Sequence, residues 1–148
     1  RLNAFDSGET GAAGRVQKDK VQWFENFSQP LPNLRLHVSQ LPLPTQWPWV
    51  EIVMNHVNAS QKHVDALVNA GVQGLVIAGT GNGSVNSKMK ESLVRAQMAK
   101  VQIRLSSRCN QGAVVPTSSH VFDAKGALSP AKTRVALLLD IMSERQSH

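Results

Sequence analysis

The feature that most limits what this chain can fold into is Leu75–Ser84, LVIAGTGNGS. An apolar run stops abruptly at alternating glycines, and a polar tip leads into a helix-like segment. Apolar residues without alternation suit a strand buried on both faces. Glycines directly after it suit a loop whose backbone must come close to something else. A buried strand that hands over to such a loop belongs to an α/β sheet.

The flanks repeat the pattern. Val50–Met54 (VEIVM) reads as a buried strand. Ser60 can cap a helix running to Ala70, with Val64, Leu67 and Val68 on its apolar face and Gly71 at its C-terminal cap. Gly74–Ala78 is a second strand. Asn86 or Ser87 starts a helix to about Ala99, with Met89, Leu93, Val94 and Ala96 facing inward. Val101–Leu105 is a third strand. A loop covers Ser106–Leu128, with a short strand near Ala113–Val115. Ser129 then caps a last helix, with Pro130 in its first position. Val135, Leu138, Leu139 and Met142 recur there at helical spacing, and the polar tail from Ser143 is expected to fray.

Strand–helix alternation of this kind gives right-handed βαβ units and a parallel sheet. The expected fold class is α/β. It is a small three-layer domain over 49–148, with a parallel sheet of about four strands and flanking helices. An appendage precedes it over 1–48. There, Arg15–Phe24 reads as a short exposed hairpin around Lys18-Asp19-Lys20. Pro30, Pro32, Pro42, Pro44 and Pro48 then mark an extended linker with at most an edge strand at Arg35–Val38.

The net charge of +6 raises nucleic acid as a partner, but the basic residues are scattered and only 5% of the chain is aromatic. Stacking platforms for single strands are therefore few, and no nucleic-acid partner is expected. No apolar run approaches the ~20 residues of a membrane span. Cys109 is the only cysteine, so no intrachain disulfide can form, and a small buried hydrophobe is its expected role. The chain opens at Arg1 in what reads as mid-domain sequence, so a missing leader leaves periplasm and cytoplasm both open.

Two nucleotide motifs bear on the glycine loop. The dinucleotide fingerprint needs GxGxxG and the P-loop needs GK[ST]; Gly79–Ser84 satisfies neither. Asn82, Ser84 and Thr80 can supply side-chain hydrogen bonds there. Arg108, after Ser106-Ser107, reads as an exposed residue at a loop start, with carboxylate binding as the alternative. His37, His56, His63, His120 and His148 show no metal-ligand spacing, and no metal is expected. Trp23, Trp47 and Trp49 read as packing anchors, with an interface role as the alternative.

Several runs together resemble the bacterial type II L-asparaginases and the related glutaminase-asparaginases. They are VEIVMNHVNAS, ALVNAGVQGLVIAGTGNGSV, SSR with GAVVP, ALSPAKTRVALLLDI and the N-terminal LNAFDSGETGAAGRVQKDKV. The similarity covers nearly the whole chain and is to the C-terminal domain of that family. It implies a part of an enzyme that hydrolyses L-asparagine, or L-glutamine, to the acid and ammonia without metal or organic cofactor. It also implies that the catalytic threonines lie upstream of Arg1, so that this piece alone is inactive. In the family the C-terminal domain completes a neighbouring subunit's site, which implies a homo-oligomer. The substrate-binding residues it implies are Ser84, with Asn82 and Gly83 in the same loop. Two departures stand out. The family's loop glutamate after SSR is replaced by the stretch Thr117-Ser118-Ser119-His120, and its arginine just before SSR is replaced by Leu105, with Arg104 one residue earlier. The alternative from another class is a non-catalytic α/β interaction or small-ligand-binding module.

Overall fold

The computed structural model describes residues 14–23, 36, 39, 41–80, 85–109, 122 and 128–146. By contacts the chain divides into two compact units, Arg1–Leu34 and Arg35–His148.

The first unit carries a hairpin of strands β1 (Gly14–Gln17) and β2 (Lys20–Trp23), paired antiparallel with Gln17 opposite Lys20. The two linking residues, Lys18 and Asp19, both have positive φ, 49° and 61°. Positive φ at both central positions is the type I′ geometry that matches the twist of a tight hairpin. Val16, Val21 and Trp23 are exposed, so Trp23 is not the packing anchor its type suggested.

The second unit is the expected α/β body. Its order is β3 (Val50–Met54), α1 (Gln61–Asn69), β4 (Gly74–Gly79), α2 (Ser87–Met98), β5 (Gln102–Ser107) and α3 (Pro130–Gln146). A 3₁₀ turn, Pro44–Gln46, precedes it. The three strands form one parallel sheet in the order β3-β4-β5. Gly74 stands opposite Val50 on one side and Gln102 on the other. Every residue of β4 is buried, as its unbroken apolar run requires.

Strand alternation divides the core in two. Val53, Leu75, Ile77, Ile103 and Leu105 meet Val64, Met89, Leu93 and Ala96 from α1 and α2. On the other face Val50 and Val76 meet Leu137, Leu138, Ile141 and Met142 from α3. Helices on both faces of the sheet make the three layers.

Several helix ends are closed by the residues the sequence offered. Ser60 Oγ accepts from Lys62 N at 3.2 Å, and Ser129 Oγ from Lys132 N at 3.4 Å. Gly71, at φ 90°, ends α1. Its N–H donates to Val68 O at 3.0 Å and the N–H of Val72 to Leu67 O at 3.1 Å, the paired bonds of a Schellman cap. The same pair closes α2 around Lys100, at φ 65°.

Some boundaries and faces differ from expectation. β5 extends through Ser106 and Ser107, assigned above to the loop, because Ala78 and Gly79 continue the ladder opposite them. Val94 and Val135 are exposed. In α3 the inward stripe is Thr133, Leu137, Leu138, Ile141 and Met142. The tail stays helical to Gln146, and Glu144 accepts from Gln102 Nε2 at 2.6 Å. Of the proposed edge strand Arg35–Val38 only Leu36 is described, in no strand and packed on the α3 side of the core. The Ala113–Val115 strand lies outside the described residues.

Candidate functional site

In parallel α/β sheets, loops that leave the carboxyl ends of the strands form the ligand surface. Here three such exits lie side by side, after Met54, Gly79 and Ser107. Backbone bonds carry the pairing past the strand ends. Asn55 N donates to Ala78 O at 3.0 Å, and Arg108 N to Gly79 O at 3.0 Å. The exit of the glycine loop is thus flanked by Asn55, which is buried, and by Arg108, which is exposed.

The polar side chains at this end hold loops in place. Ser106 Oγ donates to Leu128 O at 2.7 Å, and Thr133 Oγ1 to the same oxygen at 3.3 Å. That ties the end of β5 to the start of α3. Ser107 Oγ accepts from Cys109 N at 3.2 Å. Asn86 caps α2, its Oδ1 accepting from Met89 N at 2.8 Å, while its Nδ2 donates across to Ala59 O at 3.0 Å. These hydroxyls and amides are committed to the scaffold, and none of the described ones forms a nucleophile–base pair. The thiol of Cys109 is exposed, not buried as its type suggested.

Ser84, Asn82 and Gly83 lie outside the described residues, as does the stretch 117–120. Their flanks are described. Thr80 is exposed at the end of β4, and Val85 packs on the α1–α2 side of the core. Among the described residues no group of three His, Cys, Asp or Glu could hold a metal ion. No described helix is long and apolar enough to cross a membrane.

The one-residue shift before SSR has a structural account. Leu105 turns into the α1–α2 core, and Arg104 turns to the opposite face. There the Arg104 guanidinium, itself buried, donates to the Asp140 carboxylate on α3. The arginine is a strut between β5 and α3.

A polar cluster between α1 and α2 was not foreseen. Ser92, 1% exposed, donates its hydroxyl to Asp65 Oδ1, and Arg95 Nη2 meets the same oxygen at 3.1 Å. The Ser92 hydroxyl is the largest cause that holds the Asp65 carboxyl below its ordinary pKa. Burial opposes it, and Arg95 adds a hydrogen bond and its charge. The three-residue spacing of Ser92 and Arg95 on one helix face was the available signal. With its hydroxyl buried between the helices and held by Asp65, the cluster is an interhelix clamp.

The trace of the strands and helices over Trp49–Gln146 coincides with a family match. The model of the glutaminase/asparaginase C-terminal domain covers residues 49–146. The chain is 35% identical to the probable periplasmic L-asparaginase of Haemophilus influenzae over 93% of its own length and 40% of that protein. It is 34% identical to L-asparaginase 2 of Escherichia coli, over 91% of this chain and 40% of the other. It is 32% identical to the glutaminase-asparaginase of Pseudomonas fluorescens, over 99% and 41%. The chain thus spans about two fifths of the length of these curated relatives. With its βαβ order, its glycine loop after the central strand and a match across the whole α/β body, the chain belongs to the glutaminase/asparaginase C-terminal domain family.

Proposed function

We propose that this domain is the carboxyl-terminal part of an amidohydrolase that releases ammonia from L-asparagine, with L-glutamine as a second substrate. It presents substrate contacts and carries no catalytic nucleophile. Ser84 is the principal contact. A hydroxyl can accept from the substrate's α-ammonium or donate to its α-carboxylate, and Asn82 and Gly83 add an amide and a close backbone approach. The attacking threonine and its partners stand on an amino-terminal part, and the contact is made across a subunit interface in a homo-oligomer. The reaction needs no cofactor, and the periplasm or the cytoplasm is its location.

The observation that carries this reading is the position of the glycine loop. It leaves the central strand of a family-matched sheet at the carboxyl end, where the hydroxyls of Ser106 and Ser107 on the next strand are already bound into the scaffold. Strand exits fixed by such bonds, without a catalytic pair among their described residues, suit presentation of a substrate contact.

The test joins the chain to the amino-terminal part of L-asparaginase 2 and assays ammonia release from L-asparagine. The chain alone should show none, and the joined protein should be active. Ser84→Ala should raise KM about tenfold or more, the loss of about one buried hydrogen bond to a charged group. Sustained hydrolysis by the chain alone would overturn the division of labour. An active joined protein with unchanged KM in Ser84→Ala would overturn the role of Ser84.

A further inference from the structure

We propose that the cavity where α2 turns into β5 binds a free α-amino acid, its carboxylate held at Lys100 and its ammonium at Glu144.

The cavity measures about 410 Å³, within the range of small-molecule sites. Gln97 from α2, Lys100 from the turn, Gln102 and Arg104 from β5, and Leu137 and Glu144 from α3 stand in its walls. It lies toward the amino ends of the strands, because β5 begins at Gln102. The glycine loop leaves the sheet at the other end, after Gly79.

Two of the charged groups in these walls are fixed from behind. The Arg104 side chain, 9% exposed, is held by Asp140, which does not line the cavity. Glu144 accepts at one carboxylate oxygen from Gln102 Nε2, at 2.6 Å. A positive and a negative group are thus set in place before a ligand arrives, which lowers the ordering cost of binding. Lys100 differs. Among the described residues its ammonium forms no ion pair. An ammonium, a fixed guanidinium and a carboxylate around one small cavity complement a ligand that carries a carboxylate and an ammonium on a short frame. A plain carboxylate leaves Glu144 unanswered, and a plain amine meets the charges of Lys100 and Arg104.

The backbone of Lys100 points to the same place independently. Its φ is 65°, in the left-handed region. That position of a Schellman cap is usually glycine, which adopts it without strain. A lysine there costs stability, and residues held in such conformations gather at ligand sites. What lysine offers over glycine at this position is an ammonium at the cavity wall.

The test follows backbone amide NMR shifts of the chain during titration with L-alanine, propionate and ethylamine. Propionate is L-alanine without its ammonium, and ethylamine is L-alanine without its carboxylate. L-alanine should give saturable shifts centred on residues 97–104 and 140–146. Propionate and ethylamine should each bind about tenfold more weakly or worse, the loss of one hydrogen-bonded charge contact. Lys100→Gly should weaken L-alanine about tenfold as well. That variant relieves the left-handed backbone, so its urea midpoint should not fall, and lost binding is then separate from lost fold. Lys100→Arg, which keeps the charge, should recover most of the affinity. Glu144→Gln keeps an acceptor for Gln102 and should abolish the preference for L-alanine over propionate. Absence of saturable shifts at these residues, equal affinity for propionate or ethylamine, or unchanged affinity in Lys100→Gly would each overturn the proposal.

Discussion

Two residues hold the same backbone role with different side chains. Gly71 and Lys100 both sit one position past a helix C-cap with positive φ, and both carry the paired carbonyl bonds of a Schellman cap. At Gly71 an added Cβ would meet nothing within 4 Å, so any cost of a side chain there is conformational. Gly71→Ala should destabilise the fold by about 1 kcal/mol, the left-handed penalty of an L-residue without a clash. Lys100 bears that penalty already. Lys100→Gly should therefore stabilise by a few tenths to about 1 kcal/mol, reduced by the extra freedom glycine gives the unfolded chain. Urea unfolding of the two variants checks both signs. If both glycine-to-side-chain directions are neutral, the caps do not hold the φ values that define them. The same reading of single positions explains Arg104. Its register on β5 fixes its face, and Asp140 on α3 gives its charge a partner there.

At the scale of elements, the sequence disclosed kind and order well, because apolar runs and caps are local signals. Ser60, Gly71, Asn86, Ser129 and Pro130 stand at the helix ends where their chemistry suggests. It disclosed faces less well. Val94 and Val135 fit a helical period but point to solvent, since their neighbours Leu93, Leu137 and Leu138 already fill the core. The end of β5 was invisible because Ser106 and Ser107 look like loop residues. Their pairing with Ala78 and Gly79, and the bond from Ser106 to Leu128, are non-local. The Asp65–Ser92–Arg95 clamp was missed for the same reason, as it joins residues 27 positions apart on two helices. That clamp predicts an acid response. Asp65 has its folded pKa lowered, chiefly by Ser92. A lowered folded pKa means that the carboxylate's contribution is complete above the ordinary aspartate value of about 3.9 and is lost as pH falls through the folded value. The side chain is 40% exposed, so solvent screens the effect and its size is modest. Asp65→Asn should lower stability near neutral pH, and the gap to the unmodified chain should close as the pH falls below about 4. A gap that is constant across the acid range would show that ionisation of Asp65 plays no part.

Across the whole molecule, stability is distributed by burial. Within the α/β body, β4 is hydrogen-bonded on both edges and covered on both faces, with Leu75, Val76, Ile77 and Ala78 fully buried. Within the other unit, β1 and β2 form a two-stranded ladder whose Val16, Val21 and Trp23 are exposed. Two strands alone are marginal in water, while a central strand opens only when the domain does. The family assignment was legible because its motifs sit on the body's buried strand, its caps and its glycine loop, where sequence is tied to structure. The contact proposed for Ser84 is one between subunits, and no local pattern can supply that geometry. Hydrogen exchange measures the resulting hierarchy directly. Amides of Leu75–Ala78 should exchange about a thousandfold or more slower than unstructured peptide, at the rate of global unfolding. Amides of Lys20–Trp23 should exchange within about tenfold of unstructured peptide. A hairpin protected as strongly as β4 would show that its apolar face is covered in solution, and would make it part of the same cooperative unit.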